Sequence, residues 1–195
     1  MHGREPIEVQ PLTPERWADF EVLFGRQGAV GGCWCMFFRQ RPAEWRATDN
    51  AARKAAMHNR VEAGQVPGLL AYRAGQPVGW CAVAPRQQFV RIEGSRTLGP
   101  VDARPAWSIV CFFIARRARG TGVGTALLEA AVAYAAEHGA DLVEAYPSDP
   151  QGRRMSEMGA YMGVVPMFEH AGFAEVARRT RTSHPIMRRE LGGPA

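Results

Sequence analysis

Residues 107–128 read WSIVCFFIARRARGTGVGTALL, and three parts follow one another in this stretch. Trp107–Ile114 is an apolar run rich in aromatic and β-branched residues, the pattern of a buried strand. Arg116, Arg117, Arg119, Gly120, Thr121, Gly122 and Gly124 then make a basic, glycine-dense turn. From Thr125 onward Ala126, Leu127, Ala130, Ala131 and Tyr134 recur at helical spacing, with Glu129 and Glu137 outside that set. A strand that turns through glycines into a helix gathers several backbone N–H groups in front of the positive end of the helix dipole. Such a turn is built to hold an anion. Glycine suits it because a Cβ would hinder close approach of a phosphate.

Two common anion-binding turns do not fit. A dinucleotide fingerprint needs a third glycine three places after the second, and those places hold Thr125 and Leu127. A P-loop needs Lys and then Ser or Thr after its last glycine, and that Lys is absent.

The chain has 195 residues, 46% hydrophobic and 22% charged, so one domain spanning 1–195 with a sizeable core is expected. The longest apolar run falls short of the roughly 18 residues that a membrane span requires, and residues 1–6 lack a signal-peptide core. A cytoplasmic protein with no membrane partner is the expectation. The formal charge of +5 comes almost wholly from arginine, Lys54 being the one lysine. The arginines are dispersed, so an anionic cofactor explains the densest group better than nucleic acid does. Cys33, Cys35, Cys81 and Cys111 lack the paired spacing of a structural zinc site, and no metal is expected.

Along the chain, Ile7–Val9 reads as a strand, Thr13 and Pro14 as the start of a helix running to Phe24, and Asn50–Ala63 as a helix closed by Gly64. Leu69–Arg73 and Val78–Ala84 flank a glycine turn and form a hairpin. Gln87–Arg104 reads as a polar connection. Leu142–Tyr146, Ala174–Arg179 and Pro185–Leu191 read as strands, Val164–Ala171 as a short helix, and Pro147–Gly159 as a loop. The order is mixed α/β.

Arg119-x-x-Gly122-x-Gly124, directly after a strand ending in Ile114-Ala115-Arg116, resembles the pyrophosphate loop of the GNAT superfamily of acyl-CoA-dependent N-acetyltransferases. Met167-Phe168-Glu169-His170-Ala171-Gly172-Phe173 resembles that family's terminal helix and its Gly-Phe stop, so the likeness runs from about Leu69 to the C-terminus. It implies a mostly antiparallel twisted sheet with a splayed parallel strand pair and flanking helices. It also implies acetyl-CoA as co-substrate and a small-molecule or peptide amine as acceptor, attacked directly in a ternary complex. A monomer or homodimer would suffice. By the same resemblance Phe113, Ile114, Ala115, Arg116, Arg119, Gly120, Thr121, Gly122, Val123, Gly124, Thr125 and Phe168 would meet the cofactor, and backbone N–H groups near Phe113 and Ile114 would stabilise the oxyanion.

Glu144 lies between Val143 and Ala145, where some family members carry a glutamate base. It is either that base, its carboxyl raised by desolvation on an apolar strand, or a residue on a solvated strand face. The family's acid is a tyrosine, and here its place is taken by Phe168. Tyr161 and Tyr146 are then the nearest candidates in sequence for the acid; Tyr161 is a contact to the pantetheine arm, a proton donor or a packed aromatic, and Tyr146 is also expected on the acceptor side. Cys33–Phe38, with Trp34, Phe37 and neighbouring Arg39, is either a buried connector or the apolar wall of an acceptor pocket. Two other functions are compatible with parts of the pattern. One is a non-catalytic acyl-CoA sensor, favoured by the missing tyrosine. The other is a nucleotide-dependent oxidoreductase with Glu144 on a ribose, disfavoured by Thr125, Leu127 and the hairpin.

Overall fold

The computed structural model describes residues 5–149, 161–181 and 184–192. Thirteen elements build it: β1 (Glu8–Pro11), α1 (Trp17–Phe24), α2 (Pro42–Ala47), α3 (Asn50–Glu62), β2 (Leu69–Arg73), β3 (Gln76–Pro85), α4 (Val90–Glu93), β4 (Trp107–Ile114), α5 (Val123–Glu137), β5 (Leu142–Ala145), α6 (Val165–His170), β6 (Ala174–Ala177) and β7 (Ile186–Glu190). The strands form one sheet in the order β1-β2-β3-β4-β5-β7-β6. Every pairing is antiparallel except β4 with β5. The mixed α/β class and the single parallel pair match the expectation.

Local chemistry sets the helix ends. Asp49 caps α3, its side chain accepting from the Ala52 N–H at 2.8 Å. Helices α3, α5 and α6 all stop in the same double hydrogen bond past their last turn. Gln65 N bonds to Arg60 O, Ala140 N to Ala135 O and Phe173 N to Phe168 O, each at 3.0 Å. Pro14 begins a single 3₁₀ turn before α1, and the Thr13 hydroxyl accepts from Arg16 instead of capping the helix. The polar connection after β3 holds α4 and a 3₁₀ turn at Arg86–Gln88, and α2 follows Arg41; these short helices lack enough turns to leave a period in the sequence.

The sheet divides the core into two layers. On one side α1, α3 and α4 bury Phe20, Phe24, Trp80, Phe89 and Tyr146. On the other, α5 and α6 cover Val83, Ile109, Val143 and Phe168. A bulge in β4 opposite Ala82 and Val83 changes which residues face which layer. Val110 and Cys111 both turn toward the first layer, Phe113 follows them, and Phe112 and Ile114 face the second.

β4 and β5 pair over three residues only: Trp107 with Val143, Ser108 with Glu144, and Ile109 with Ala145. Beyond Ile109 no β5 residue pairs with β4, which opens a wedge beside its C-terminal half. Ala115 N bonds back to Val78 O on β3 at 2.9 Å. Strand alternation therefore aims the N–H groups of Phe112 and Ile114 away from β3, into the wedge. That of Phe112 donates to Tyr161 O at 2.6 Å.

Helix α5 lies close on β3 because residue 79 is glycine: a Cβ there would come within 2.6 Å of Val123 Cγ1 and 3.0 Å of Leu127 Cδ1. Val123 and Leu127 are both buried, so neither can yield. Gly79→Ala is expected to cost roughly 1–3 kcal/mol by overpacking. Chemical denaturation checks this, and the loss should appear in the midpoint with an unchanged slope.

Candidate active site

The glycine-dense turn folds as its sequence suggests. A 3₁₀ turn at Arg116–Ala118 leads through Arg119, Gly120 and Thr121 to Gly122, which caps α5 in the left-handed conformation at φ 91°. Gly120 also has positive φ, and the space beside both glycines is open. The first N–H groups of the 15-residue α5 therefore face an uncrowded concavity, with Arg116, Arg117 and Arg119 exposed around it. Arg73, which sequence reading did not select, braces the turn from β2. It donates to Thr121 Oγ1 at 2.9 Å and to Thr121 O at 3.1 Å. Thr121 Oγ1 in turn donates to Ala118 O at 2.7 Å. Residues that would hold a pyrophosphate are thus gathered and braced by hydrogen bonds, and their open backbone N–H groups and arginines fit the group.

Next to this turn lies a cavity of about 480 Å³. The strand from Cys111 to Ile114 forms one wall and Arg119 stands at the end nearest the glycine turn. Phe24 and the Ala29–Gly31 loop contribute another side, and Phe37, Phe38, Trp45 and Tyr161 close it with aromatic rings. Phe38 and Tyr161 stack with centroids 6.3 Å apart. Cys33, Cys35 and Cys111 supply three sulfurs. Burial pushes the Cys33 thiol up to about 11, so at neutral pH it is an uncharged, polarisable surface. Burial also raises the Tyr161 phenol, which keeps it protonated.

The Cys33–Phe38 segment is therefore divided between the two expectations. Phe37 faces the cavity, but Trp34 is only 2% exposed and stacks on Phe24 with centroids 5.8 Å apart. Its indole N–H donates to Asn50 at 2.8 Å. Trp34 and Cys35 occupy the two central positions of a tight turn closed by Met36 N to Cys33 O at 2.7 Å, with φ of 42° and 58°. Such a turn normally calls for Asn-Gly. Packing of Trp34 and the 3.1 Å hydrogen bond from Trp80 Nε1 to Cys35 Sγ hold it in place. Arg39 is buried too, away from the cavity. It donates to Gln88 at 3.0 Å and to Pro67 O at 2.8 Å, and lies 4.4 Å from the Phe89 ring centroid.

Glu144 sits in surroundings that its sequence neighbours did not announce. It is 1% exposed, and each carboxylate oxygen already accepts two hydrogen bonds. Oε1 receives Arg188 Nε and Nη2 at 2.9 and 2.7 Å; Oε2 receives Arg86 Nη1 at 3.1 Å and the Tyr146 hydroxyl at 3.0 Å. Arg86 continues to Glu93 at 2.7 Å and Arg188 to Asp102 at 2.5 Å. Hydrogen bonds from Arg188 and from the Arg104 N–H hold the Asp102 carboxyl down at about 2. The Tyr146 phenol, pushed up by burial and then by the Glu144 charge, also meets Ser108 Oγ at 3.0 Å. So neither the desolvated lone carboxylate nor the solvated strand face describes Glu144. Its partner Ser108 is five residues before Phe113, about 16 Å along an extended strand. The structure brings neither Glu144 nor Tyr146 to the cavity wall.

Phe168, expected at the cofactor, is fully buried between Phe112 and Phe173, with centroids 6.2 and 5.2 Å away. Its neighbour Met167 approaches the glycine turn instead, lying with Ile114 beside Gly124. Among the described residues no group of three His, Cys, Asp or Glu is arranged to hold a metal ion. No helix among them is long and apolar enough to cross a membrane.

The model of the acetyltransferase (GNAT) family matches residues 33–159, well over half of the chain. The chain belongs to the GNAT acetyltransferase family. Solved structures agree on the fold. A histone acetyltransferase HPA2 and related acetyltransferase from Corynebacterium glutamicum is 19% identical, covering 96% of this chain and 98% of its own, with a TM-score of 0.57. A ribosomal-protein-alanine N-acetyltransferase from Brucella melitensis is 20% identical over 94% of this chain and 99% of its own, with a TM-score of 0.52. PaiA N-acetyltransferase from Thermoplasma acidophilum, solved in complex with coenzyme A, is 14% identical over 95% and 99%, with a TM-score of 0.53. No curated protein sequence matches. The family match begins at Cys33, ahead of the Leu69 at which the motif resemblance starts, so this GNAT acetyltransferase carries the family pattern into the cysteine-rich segment as well.

Two substitutions separate framework from cleft. Glu144→Gln leaves two buried guanidiniums without their shared anion and is expected to destabilise by about 3–5 kcal/mol. Trp34→Ala should cost a similar ~3–5 kcal/mol as a buried aromatic truncation. Both are read by denaturant unfolding, and wild-type stability in either variant would return that residue to the list of candidate cleft groups.

Proposed function

We propose that this GNAT acetyltransferase moves the acetyl group of acetyl-CoA to the nitrogen of an amine, within the cavity between β4 and the Phe37–Phe38 segment. The observation that carries the reading is continuity: the anion-binding turn, the splayed end of β4 and an apolar cavity adjoin one another, with Arg119 at the junction. In this reading the N–H groups at Gly120, Thr121, Gly122, Val123, Gly124 and Thr125 take the pyrophosphate, with Arg116, Arg117 and Arg119 around it. The carbonyl of the acetyl group lies along Phe113, Ile114 and Ala115, and the N–H of Ile114, aimed into the wedge, stabilises its oxygen as negative charge develops.

The amine attacks directly. Its lone pair forms the C–N bond, the C–S bond breaks, and the electron pair leaves on the CoA sulfur. The proton shed by nitrogen balances the one that the thiolate takes up. Tyr161, protonated and on the cavity wall, is the donor we assign to that thiolate; Glu144 we assign to the framework. Acceleration then comes mainly from holding amine and thioester together.

The second reading, an acyl-CoA-binding module without turnover, is favoured by one feature: the buried Phe168 where relatives of the resembling family carry a tyrosine. Release of free CoA thiol by the wild-type protein with a panel of amines separates the two, and Tyr161→Phe then tests the donor. Turnover should fall roughly ten- to a hundredfold with acetyl-CoA affinity unchanged if Tyr161 donates the proton.

The phosphate turn itself is tested by Gly122→Asp, which sets a negative side chain on the left-handed residue at the mouth of α5. Acetyl-CoA affinity measured by calorimetry on the folded variant should fall by at least a hundredfold, with a separate stability loss of roughly 1–3 kcal/mol from the left-handed backbone. Unchanged affinity would end the acetyl-CoA reading.

A further inference from the structure

The cavity carries information about the acceptor's charge. Among the described residues its lining includes neither a carboxylate nor an imidazole. The charged groups packed around it are guanidiniums. Arg119 stands at its end, Arg53 lies 3.5 Å from the Trp45 ring centroid, and Arg91 lies 4.0 Å from that of Phe37. Arg53 is fixed there by bonds to Trp45 O at 2.9 Å and Thr48 O at 2.6 Å. The carboxylates on the surrounding helices are engaged elsewhere: Glu21 of α1 with Lys54, Asp19 with the Tyr72 hydroxyl, and Glu44 of α2 with the Arg41 N–H. Of the thiols, Cys33 is held protonated by burial, and Cys111 is raised by its hydrogen bond with Cys35 and by burial. Cys35 is held lower by that bond, its sulfur also taking the Trp80 N–H at 3.1 Å.

These facts bear on an ammonium ion in two ways. A cation entering the cavity would lose its water and meet no carboxylate among the described lining residues, a cost of several kcal/mol. Two of the aromatic walls, Trp45 and Phe37, already carry Arg53 and Arg91, and with Arg119 these guanidiniums set like charge around any second cation. A neutral ring, by contrast, meets flat aromatic partners and polarisable sulfur at van der Waals distance.

We propose that the acceptor is an aromatic amine, uncharged at pH 7, whose ring seats among Phe37, Phe38, Trp45 and Tyr161 with its nitrogen toward Ile114. This rests on the acetyl-transfer reading above and adds the substrate class. It also accounts for a cleft whose nearby carboxylate is locked into the framework. An amine that arrives neutral has no proton to surrender before it attacks, so the site works without a general base.

The test compares aniline, neutral at pH 7, with benzylamine, an ammonium ion at pH 7, and with spermidine. The wild-type protein is used with saturating acetyl-CoA, and free CoA thiol is followed from pH 6 to 8.5. With aniline kcat/KM should be level across this range. With benzylamine it should rise about tenfold per pH unit, following the neutral fraction of the amine itself. Spermidine should be turned over at least a hundredfold less well than aniline at pH 7. An acidic limb in the aniline profile would reveal a titrating base on the protein and overturn the proposal. So would benzylamine with a level profile, or spermidine as the better acceptor. Acetyl-CoA binding by calorimetry without turnover of either aromatic amine would sink the substrate class alone, while absence of acetyl-CoA binding would sink the acetyl-transfer reading beneath it.

Discussion

The buried charge cluster around Glu144 is the interaction on which the rest of the site depends. A parallel pair of three residues is a weak join, and here it must hold two halves of the sheet together while the strands part immediately beyond it. Glu144 stands at its middle, opposite Ser108 on β4 and Arg188 on β7 in register. Arg86 reaches it from just past the end of β3, so one carboxylate on β5 ties that end of β3 to β7, with Tyr146 carrying the network on to Ser108 of β4. Among the described residues it is the one buried carboxylate. Two guanidiniums and a phenol surround it, and removing any one partner strands charge in a dry interior. That makes the register of β4 against β5 hard to shift, and the register determines where the wedge begins.

Much of the frame was legible from the chain. Trp107–Ile114 is the predicted strand to the residue, because an apolar, β-branched run bounded by an arginine turn admits little else. The glycines at 64 and 172 stop their helices as read, and the hairpin turns at Ala74 and Gly75. Short elements escaped. Helices α2 and α4, of six and four residues, complete too few turns for a hydrophobic period to register. The loop expected over Pro147–Gly159 falls mostly on residues outside those described.

The site was legible in proportion to how local its signals are. The glycine turn is a continuous motif, and its glycines and arginines form one turn, with α5 starting at Val123, two residues before the expected Thr125. Glu144 and Arg39 are different. Between Val143 and Ala145 a carboxylate looks desolvated, and its partners come from 58 positions upstream and 44 downstream. No spacing rule links Arg86, Glu144 and Arg188. Arg39 looks like a pocket charge beside four apolar residues, yet it turns inward to Pro67 and Gln88. The turn at Trp34 and Cys35 is the clearest case. Residues with these side chains are poor candidates for left-handed backbone, so local preference points the wrong way, and tertiary packing overrides it.

That override has a consequence for the cleft. An extended passage through residues 33–38 would alternate side chains, sending Trp34, Met36 and Phe38 one way and Cys33, Cys35 and Phe37 the other. In the folded chain Trp34 lies in the core against Phe24 and Cys33, Cys35 and Phe37 face the cavity, as that alternation would have it, but Phe38 departs from it and joins them on the cavity wall. Strain of roughly 1–3 kcal/mol at each left-handed residue is offset by the buried indole and its bond to Asn50. The same indole therefore anchors the wall and stays out of the pocket. A wall built this way is held by packing and hydrogen bonds, which suits the proposed reaction between bound amine and thioester. Effective molarities of about 10⁵–10⁸ M depend on reacting atoms held in near-contact geometry, so under the proposed acetyl transfer a wall held opposite β4 contributes to rate through position alone.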